Sequence, residues 1–294
     1  MLVSWKYKER DTIIQRLDPR ARWIFLFSVT FSIIQFWDVR ILLLFFAITF
    51  GHYFLCKLTW KETRRIWTFV LILVVVIIGI NALLTGRGGP GEVLSGAKHI
   101  IWEVKWVVPW VGWTIHPNIT VEKLVFAFTQ MVRMLSITVL FIPLAYTFNP
   151  NEYGVTFRGL GLPDKFAVSM DLAFRFVPTL ARDFGITLDS QRARGYEVEK
   201  LEGGLIAQIR KMAPLIVPVT INAIVGGEDI VNAMDLRCFG LRKRTWFQKL
   251  EYRRRDYVLI GMSLLILVGS TFVDKLIGIG DFWMPEWALR LFGF

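Results

Sequence analysis

Cysteine is almost missing from this sequence: Cys56 and Cys238 are the two in 294 residues, and they lie far apart. Such a pair builds no disulfide framework and no cysteine metal centre. Histidine is equally scarce, and His52, His99 and His116 stand singly, without an H-E-x-x-H pair or a second ligand at metal spacing. There is no G-x-x-x-x-G-K-[ST] run, hence no loop to cradle nucleotide phosphates, and the glycine-rich stretch Gly86–Gly91 lacks the lysine. No G-x-S-x-G nucleophile elbow occurs. Asn118-Ile119-Thr120 has the form of a glycosylation acceptor, a triplet that often arises by chance, and is assigned no role. These absences leave no catalytic residue, no metal ligand and no cofactor site, and predict a protein that is not an enzyme.

Acid is also short: 24 Asp and Glu face 35 Lys and Arg, a net charge of +11. A surplus of this sign suits nucleic acid or a membrane surface. The chain is 54% hydrophobic and 15% aromatic, above the ~45–50% apolar content of soluble domains. In such a chain the basic residues orient a membrane protein; the expected partner is the lipid bilayer and not nucleic acid.

What the sequence has in quantity is long apolar runs. Trp23–Trp37, Ile41–Leu55, Ile66–Leu84, Val121–Phe148 and Tyr257–Val273 are each nearly free of charge. A bilayer-spanning helix needs about 20 apolar residues, with a range near 17–25, so the first two runs borrow flanking residues and five spans result. Nothing resembles a cleaved signal peptide, because a second span follows the first at once. With the N-terminus inside, segments 1–22, 56–65 and 149–256 hold 27 of the basic residues and the outer segments hold 7. Lys and Arg concentrate in short cytoplasmic loops, so the N-terminus is expected in the cytoplasm and the C-terminus outside the cell (inner) membrane. Arg133 falls within the fourth span, where an ionisable residue is expensive. It marks a functional site, a structural pair, or a break near the membrane surface.

The chain thus reads as an all-α polytopic membrane protein: 1–148 with four spans and an outer 85–120 segment, a helical cytoplasmic region at 149–256, and 257–294 with the last span and an outer tail. In the outer segment Trp102, Trp106, Trp110 and Trp113 recur at steps of four, four and three. That row suits a helix lying in the headgroup layer, or rings that cap the bundle. In the cytoplasmic region Phe166, Met170, Phe174, Val177, Ala181, Phe184 and Leu188 form one apolar helix face over 164–192. Pro163 stands at its first turn, Pro178 kinks it and Gly195 stops it. The run Met212–Val225 contains Pro214 and Pro218 and is short for a span, so it is expected to lie against the membrane. A third helix is expected after Gly226-Gly227, with Glu228 and Asp229 in its first turn and an end near Cys238 and Gly240.

Two of these helices close alike, with Gln191-Arg192-Ala193-Arg194-Gly195 and with Ala233-Met234-Asp235-Leu236-Arg237-Cys238-Phe239-Gly240. The pairing resembles the transmembrane T component of energy-coupling factor (ECF) transporters, EcfT/CbiQ-like proteins that carry two Ala-Arg-Gly motifs at the ends of their coupling helices. Arg16-Leu17-Asp18-Pro19-Arg20 is similar to that family's N-terminal Leu-Asp-Pro-Arg signature, and Leu172-Ala173-Phe174-Arg175-Phe176-Val177-Pro178 to its Arg-aromatic-x-Pro stretch. The second motif departs from the family, since Leu236-Arg237-Cys238 cannot rely on glycine after the arginine. The 85–120 segment is also longer than the family leads one to expect.

The resemblance implies a coupling subunit of an ABC importer. Ala193, Arg194, Gly195, Ala233, Arg237 and Cys238 would dock two cytoplasmic ABC-type ATPase subunits. Asp18, Pro19, Arg20, Arg175 and Pro178 would be structural or coupling positions. A separate substrate-binding membrane subunit, the S component, would supply a vitamin or metal ion such as cobalt or nickel. A basic residue in a last helical turn is also an ordinary favourable contact with the helix dipole, about 0.3–1 kcal/mol. The rival function is an autonomous secondary transporter or channel. Such proteins often show inverted repeats and broken helices at the midplane, and no repeat is visible here.

Overall fold

The computed structural model describes residues 7–80, 100–103, 106–107, 114–115, 118–196, 205–241, 249–278 and 283. The chain divides into two compact units, one from Tyr7–Phe148 with Tyr252–Phe294 and one containing Asn149–Glu251. Apart from short strands, both are α-helical.

In the first unit the helices are α1 (Pro19–Gln35), α2 (Val39–Leu55), α3 (Trp60–Ile80), α4 (Val121–Phe141) and the single turn α5 (Leu144–Thr147). The expected fourth span is broken where Pro143 falls between α4 and α5. The described part of the Trp row is not helical. Ile100–Glu103 pairs antiparallel with Asn118–Thr120, and Trp106–Val107 with Thr114–Ile115. Trp102 and Trp106 therefore lie on strands, while Trp110 and Trp113 lie outside the described residues. The cause is local: Ile, Val, Thr and Trp favour a pleated backbone, and Pro109, Gly112 and Pro117 would interrupt a helix. The second unit holds α6 (Tyr153–Gly159), α7 (Asp164–Ala193) and α8 (Leu205–Leu236), and the first is completed by α9 (Arg254–Phe272).

Among the described residues each of the five expected spans contains a helix; residues 81–84 of the third lie outside them. By length and composition, Val121–Thr147, Met212–Leu236 and Arg254–Leu276 are long and apolar enough to cross a membrane. The middle stretch corrects the sequence reading. Gly226-Gly227 does not start a new helix, because α8 runs unbroken for 32 residues through Pro214, Pro218 and both glycines. Each proline removes a single backbone bond, and the helix continues on both sides although most residues between the prolines and the glycines are β-branched.

The first unit suits lipid: small polar groups such as Ser28, Ser32, Ser263 and Ser270 are buried beside an apolar core that includes Ile33, Phe36 and Leu42, while many large apolar groups face outward. Along α9 the buried residues are Asp256, Ser263 and Ser270, one every seven. Ser270 Oγ bonds Ser32 Oγ at 3.0 Å, Gln35 Nε2 bonds Thr271 Oγ1 at 3.1 Å, and Asp18 N–H bonds Asp256 Oδ1 at 2.8 Å. The near-constant offset makes α1 and α9 parallel neighbours. Hydrogen bonds of this kind between membrane helices are worth about 0.6 kcal/mol each.

The same contacts sort the helix ends. At one end Arg22 Nη1 bonds the Thr147 carbonyl at 3.1 Å, and Tyr146 hydroxyl bonds the Glu62 carbonyl at 3.1 Å. Lys8 and Arg10 reach Glu62 there at 2.7 and 2.5 Å. Hydrogen bonds from Lys8, then Thr59 and Arg10, push the Glu62 carboxyl down to about 2, so this tie weakens only as pH falls from near 4.5 toward 2. At the other end Trp37 stacks on Phe126 at 5.6 Å and Arg40 lies 3.1 Å over the Trp283 ring.

Arg133 is a structural pair: its guanidinium donates to the Phe36 carbonyl at the C-cap of α1 and sits 3.9 Å over the Trp37 ring. It closes the turn between α1 and α2.

Candidate functional site

In the second unit α6 packs on α7. A Cβ on Gly154 would stand 2.7 Å from the Ala167 carbonyl oxygen, so only glycine permits this approach. Tyr153 stacks on Phe174 at 4.7 Å. α7 then packs on α8 around an open crevice lined by Asp183, Ile186 and Thr187 from one helix and Asn222, Val225, Gly226 and Asp229 from the other. From the last residues lining the crevice, Thr187 and Asp229, each helix runs on for about 9–11 Å to its C-terminus, at 1.5 Å per residue.

Those two C-termini match residue for residue. In α7 the Gly195 N–H bonds the Arg192 carbonyl at 2.9 Å and the Tyr196 N–H bonds the Gln191 carbonyl at 3.0 Å. In α8 the Cys238 N–H bonds the Asp235 carbonyl at 2.8 Å and the Phe239 N–H bonds the Met234 carbonyl at 3.0 Å. Both are Schellman caps, in which a left-handed residue after the helix turns two amides back onto the last carbonyls. Gly195 has φ +85° and Cys238 has φ 55°. Arg194 and Arg237 take the same place, immediately before the left-handed residue, and both are exposed.

The absence of glycine at 238 therefore leaves the turn geometry unchanged: Cys238 adopts the conformation glycine would supply. For a residue with a side chain the left-handed region costs about 1–2 kcal/mol. Cys238→Gly is expected to firm the end of α8 and slow exchange of the Phe239 amide about fivefold, the equivalent of about 1 kcal/mol. Hydrogen exchange read at that amide checks it; unchanged or faster exchange would mean the turn holds no strain.

The match also sets the equivalent positions beside the arginines. Ala193 corresponds to Leu236, which is 87% exposed, and not to Ala233, which is exposed one turn earlier inside α8. Arg175 forms an i,i+4 ion pair with Asp171 at 2.9 Å on an exposed part of α7, and Pro178 lies within that helix, which continues past it.

Asp18, Pro19 and Arg20 belong to the other unit. Asp18 caps α1 by accepting the Arg20 N–H at 2.9 Å, and Pro19 fills the first helical position. Arg20 grips the Asp18 carboxylate at 2.8 and 3.1 Å and lies 3.8 Å over the Tyr252 ring. Its bond to Asp18 raises the guanidinium above its ordinary value against the opposing effect of burial. The hub of this arrangement is Asp256, which is 1% exposed. Its carboxylate accepts the Asp18 N–H at 2.8 Å and the Arg253 N–H at 2.7 Å, capping α1 and α9 together. Sequence reasoning missed Asp256 and Tyr252. The available signal was an acid three residues into a helix start, a position whose side chain reaches back to a backbone amide.

Comparison with known proteins bears on this pair of helix ends. The family described as CbiQ, cobalt transport protein, matches residues 10–246. The energy-coupling factor transporter transmembrane protein EcfT of Thermanaerovibrio acidaminovorans is 25% identical over 282 residues, covering 93% of this chain and 96% of its own. The EcfT proteins of Lacticaseibacillus paracasei and Staphylococcus aureus are 26% and 24% identical over 91% and 95% of this chain and 96% and 98% of theirs. The family match takes in the Leu-Asp-Pro-Arg cap, α7, α8 and both matched ends, and the chain belongs to the CbiQ family, as a transmembrane T component of ECF transporters.

Proposed function

We propose that this chain couples ATP hydrolysis by partner subunits to uptake of a small solute, and that it catalyses nothing itself. The observation that carries the reading is the pair of matched, exposed arginines at Arg194 and Arg237. A guanidinium offers a planar fork to carboxylates, which suits a docking contact that must hold and transmit force. Two equal ends suit two equal partners, and the partners are two cytoplasmic ABC-type ATPase subunits. Their closure on ATP would move the ends of α7 and α8 together.

The third partner is a substrate-binding membrane subunit. Its support is the apolar surface α8 leaves uncovered, with Met212, Ile216, Val217, Ile221, Ile224 and Val225 all exposed. An exposed face of this kind marks an interaction site or a lipid contact. The cargo is a vitamin or a metal ion; the family's cobalt description favours the metal.

In the membrane we place the end that carries Lys8, Arg10, Arg22, Glu62 and Arg253 on the cytoplasmic side, following the positive-inside rule. The N-terminus is then cytoplasmic, the C-terminus outside, and the residues of the second unit cytoplasmic.

The purified chain alone is expected to hydrolyse no ATP, and with the right ATPase pair it should form a stable complex that does. Robust hydrolysis by the lone chain, free of contaminant, would overturn the reading.

A further inference from the structure

Viewed down its axis, α9 divides cleanly. Asp256, Ser263 and Ser270 are buried on one face. Arg254, Val258, Gly261, Leu265, Val268 and Phe272, at steps of four, three, four, three and four, occupy the opposite face, and all are exposed. Leu265 is 73% exposed. Arg253 and Arg255 flank the head of this stripe, also exposed.

Among the described residues none of these three guanidiniums has an ion-pair partner. The acid in the same turn, Asp256, faces inward, and its oxygens accept the Asp18 and Arg253 amides. Three adjacent cations repel one another, and they stand at the positive end of a helix dipole, which disfavours them further. An anion between them relieves both effects. A guanidinium recognises phosphate by a bidentate fork.

We propose that Arg253, Arg254 and Arg255 form a headgroup site for an anionic phospholipid whose acyl chains lie along the Val258–Phe272 stripe. The continuous apolar face directly below the cations selects a lipid over free phosphate, because only a lipid satisfies both parts of the surface. The inference rests on the membrane setting of the chain and is independent of which ATPases or cargo it serves.

The full chain, reconstituted in phosphatidylcholine vesicles, is tested with photoactivatable phosphatidylglycerol or phosphatidylcholine carrying the label in the acyl chain. Crosslinks are mapped by peptide. Phosphatidylglycerol should label Val258–Leu265 several-fold more than phosphatidylcholine. Changing Arg253, Arg254 and Arg255 to Gln should remove that preference, since each basic residue near an anionic surface is worth about fivefold. The single exposed change Arg254→Gln should cut it about fivefold, which keeps the test decisive if the triple variant fails to insert. Equal labelling by the two lipids, or a preference that survives these changes, would overturn the site. So would inorganic phosphate displacing the label as well as unlabelled phosphatidylglycerol does. A dimer that buries the stripe and excludes both lipids would replace the lipid with a second copy of the chain.

Discussion

Arg194→Glu and Arg237→Glu should each sharply weaken assembly with the ATPase pair while leaving membrane insertion intact. Truncating or reversing one partner of a desolvated charge pair at an interface costs about 2–5 kcal/mol, or roughly 30- to 5,000-fold in affinity. A lost dipole contact on an exposed helix end costs under about 1 kcal/mol, so the two explanations separate by at least about fivefold. Because Cys238 takes the same left-handed turn as Gly195, both arginines leave their helices from equivalent positions. The two changes should therefore weaken assembly to a similar degree, and the double variant should be worse than either. Titrating the purified chain with ATPase and reading complex formation by size-exclusion measures it. If both single variants assemble and transport normally, the arginines act only as helix caps.

Asp256→Ala should produce the largest loss of stability in the first unit. Its carboxylate serves two backbone donors, the Asp18 N–H and the Arg253 N–H, and it is buried. Leaving the buried Asp18 N–H unmatched costs about 1–3 kcal/mol, and the part-buried Arg253 N–H adds less. Asp256→Asn keeps one carbonyl oxygen and should lose about half of that. The effect is expected as a lower thermal midpoint in detergent, together with faster exchange at the amides of Asp18 and Arg253. An Asp256→Ala protein with an unchanged midpoint would show that the link between α1 and α9 is held by Ser32, Ser270 and Thr271 instead.

These residues also show what could be read without coordinates. The apolar runs gave helices at every expected span because bilayer length and backbone satisfaction leave few other solutions. The three-and-four stripe from Phe166 to Leu188 located α7 to within a residue at its end. The paired arginines were legible as a repeat of local pattern, since a Schellman cap is written in consecutive residues. Three things were not legible. The length of α8 was hidden by Gly226-Gly227, which read as a boundary although the helix passes through them. Trp102 and Trp106 kept helical spacing while their neighbours favoured strand pairing, a contest that local β-propensity won at those two positions. The acid at the third position of α9 signalled its bond to the Arg253 amide, but its bond to Asp18, 238 residues away, was hidden, because no local pattern reports a contact of that range.

The most direct test of the account places a photoreactive amino acid at Ala193 or at Leu236, the matched exposed positions beside the two arginines, and leaves Arg194 and Arg237 intact. In the assembled, transport-competent complex both positions should crosslink to an ATPase subunit, and in the double probe each should capture a separate copy. A complex that assembles and transports while neither position touches an ATPase would contradict the claim that these two helix ends carry the coupling.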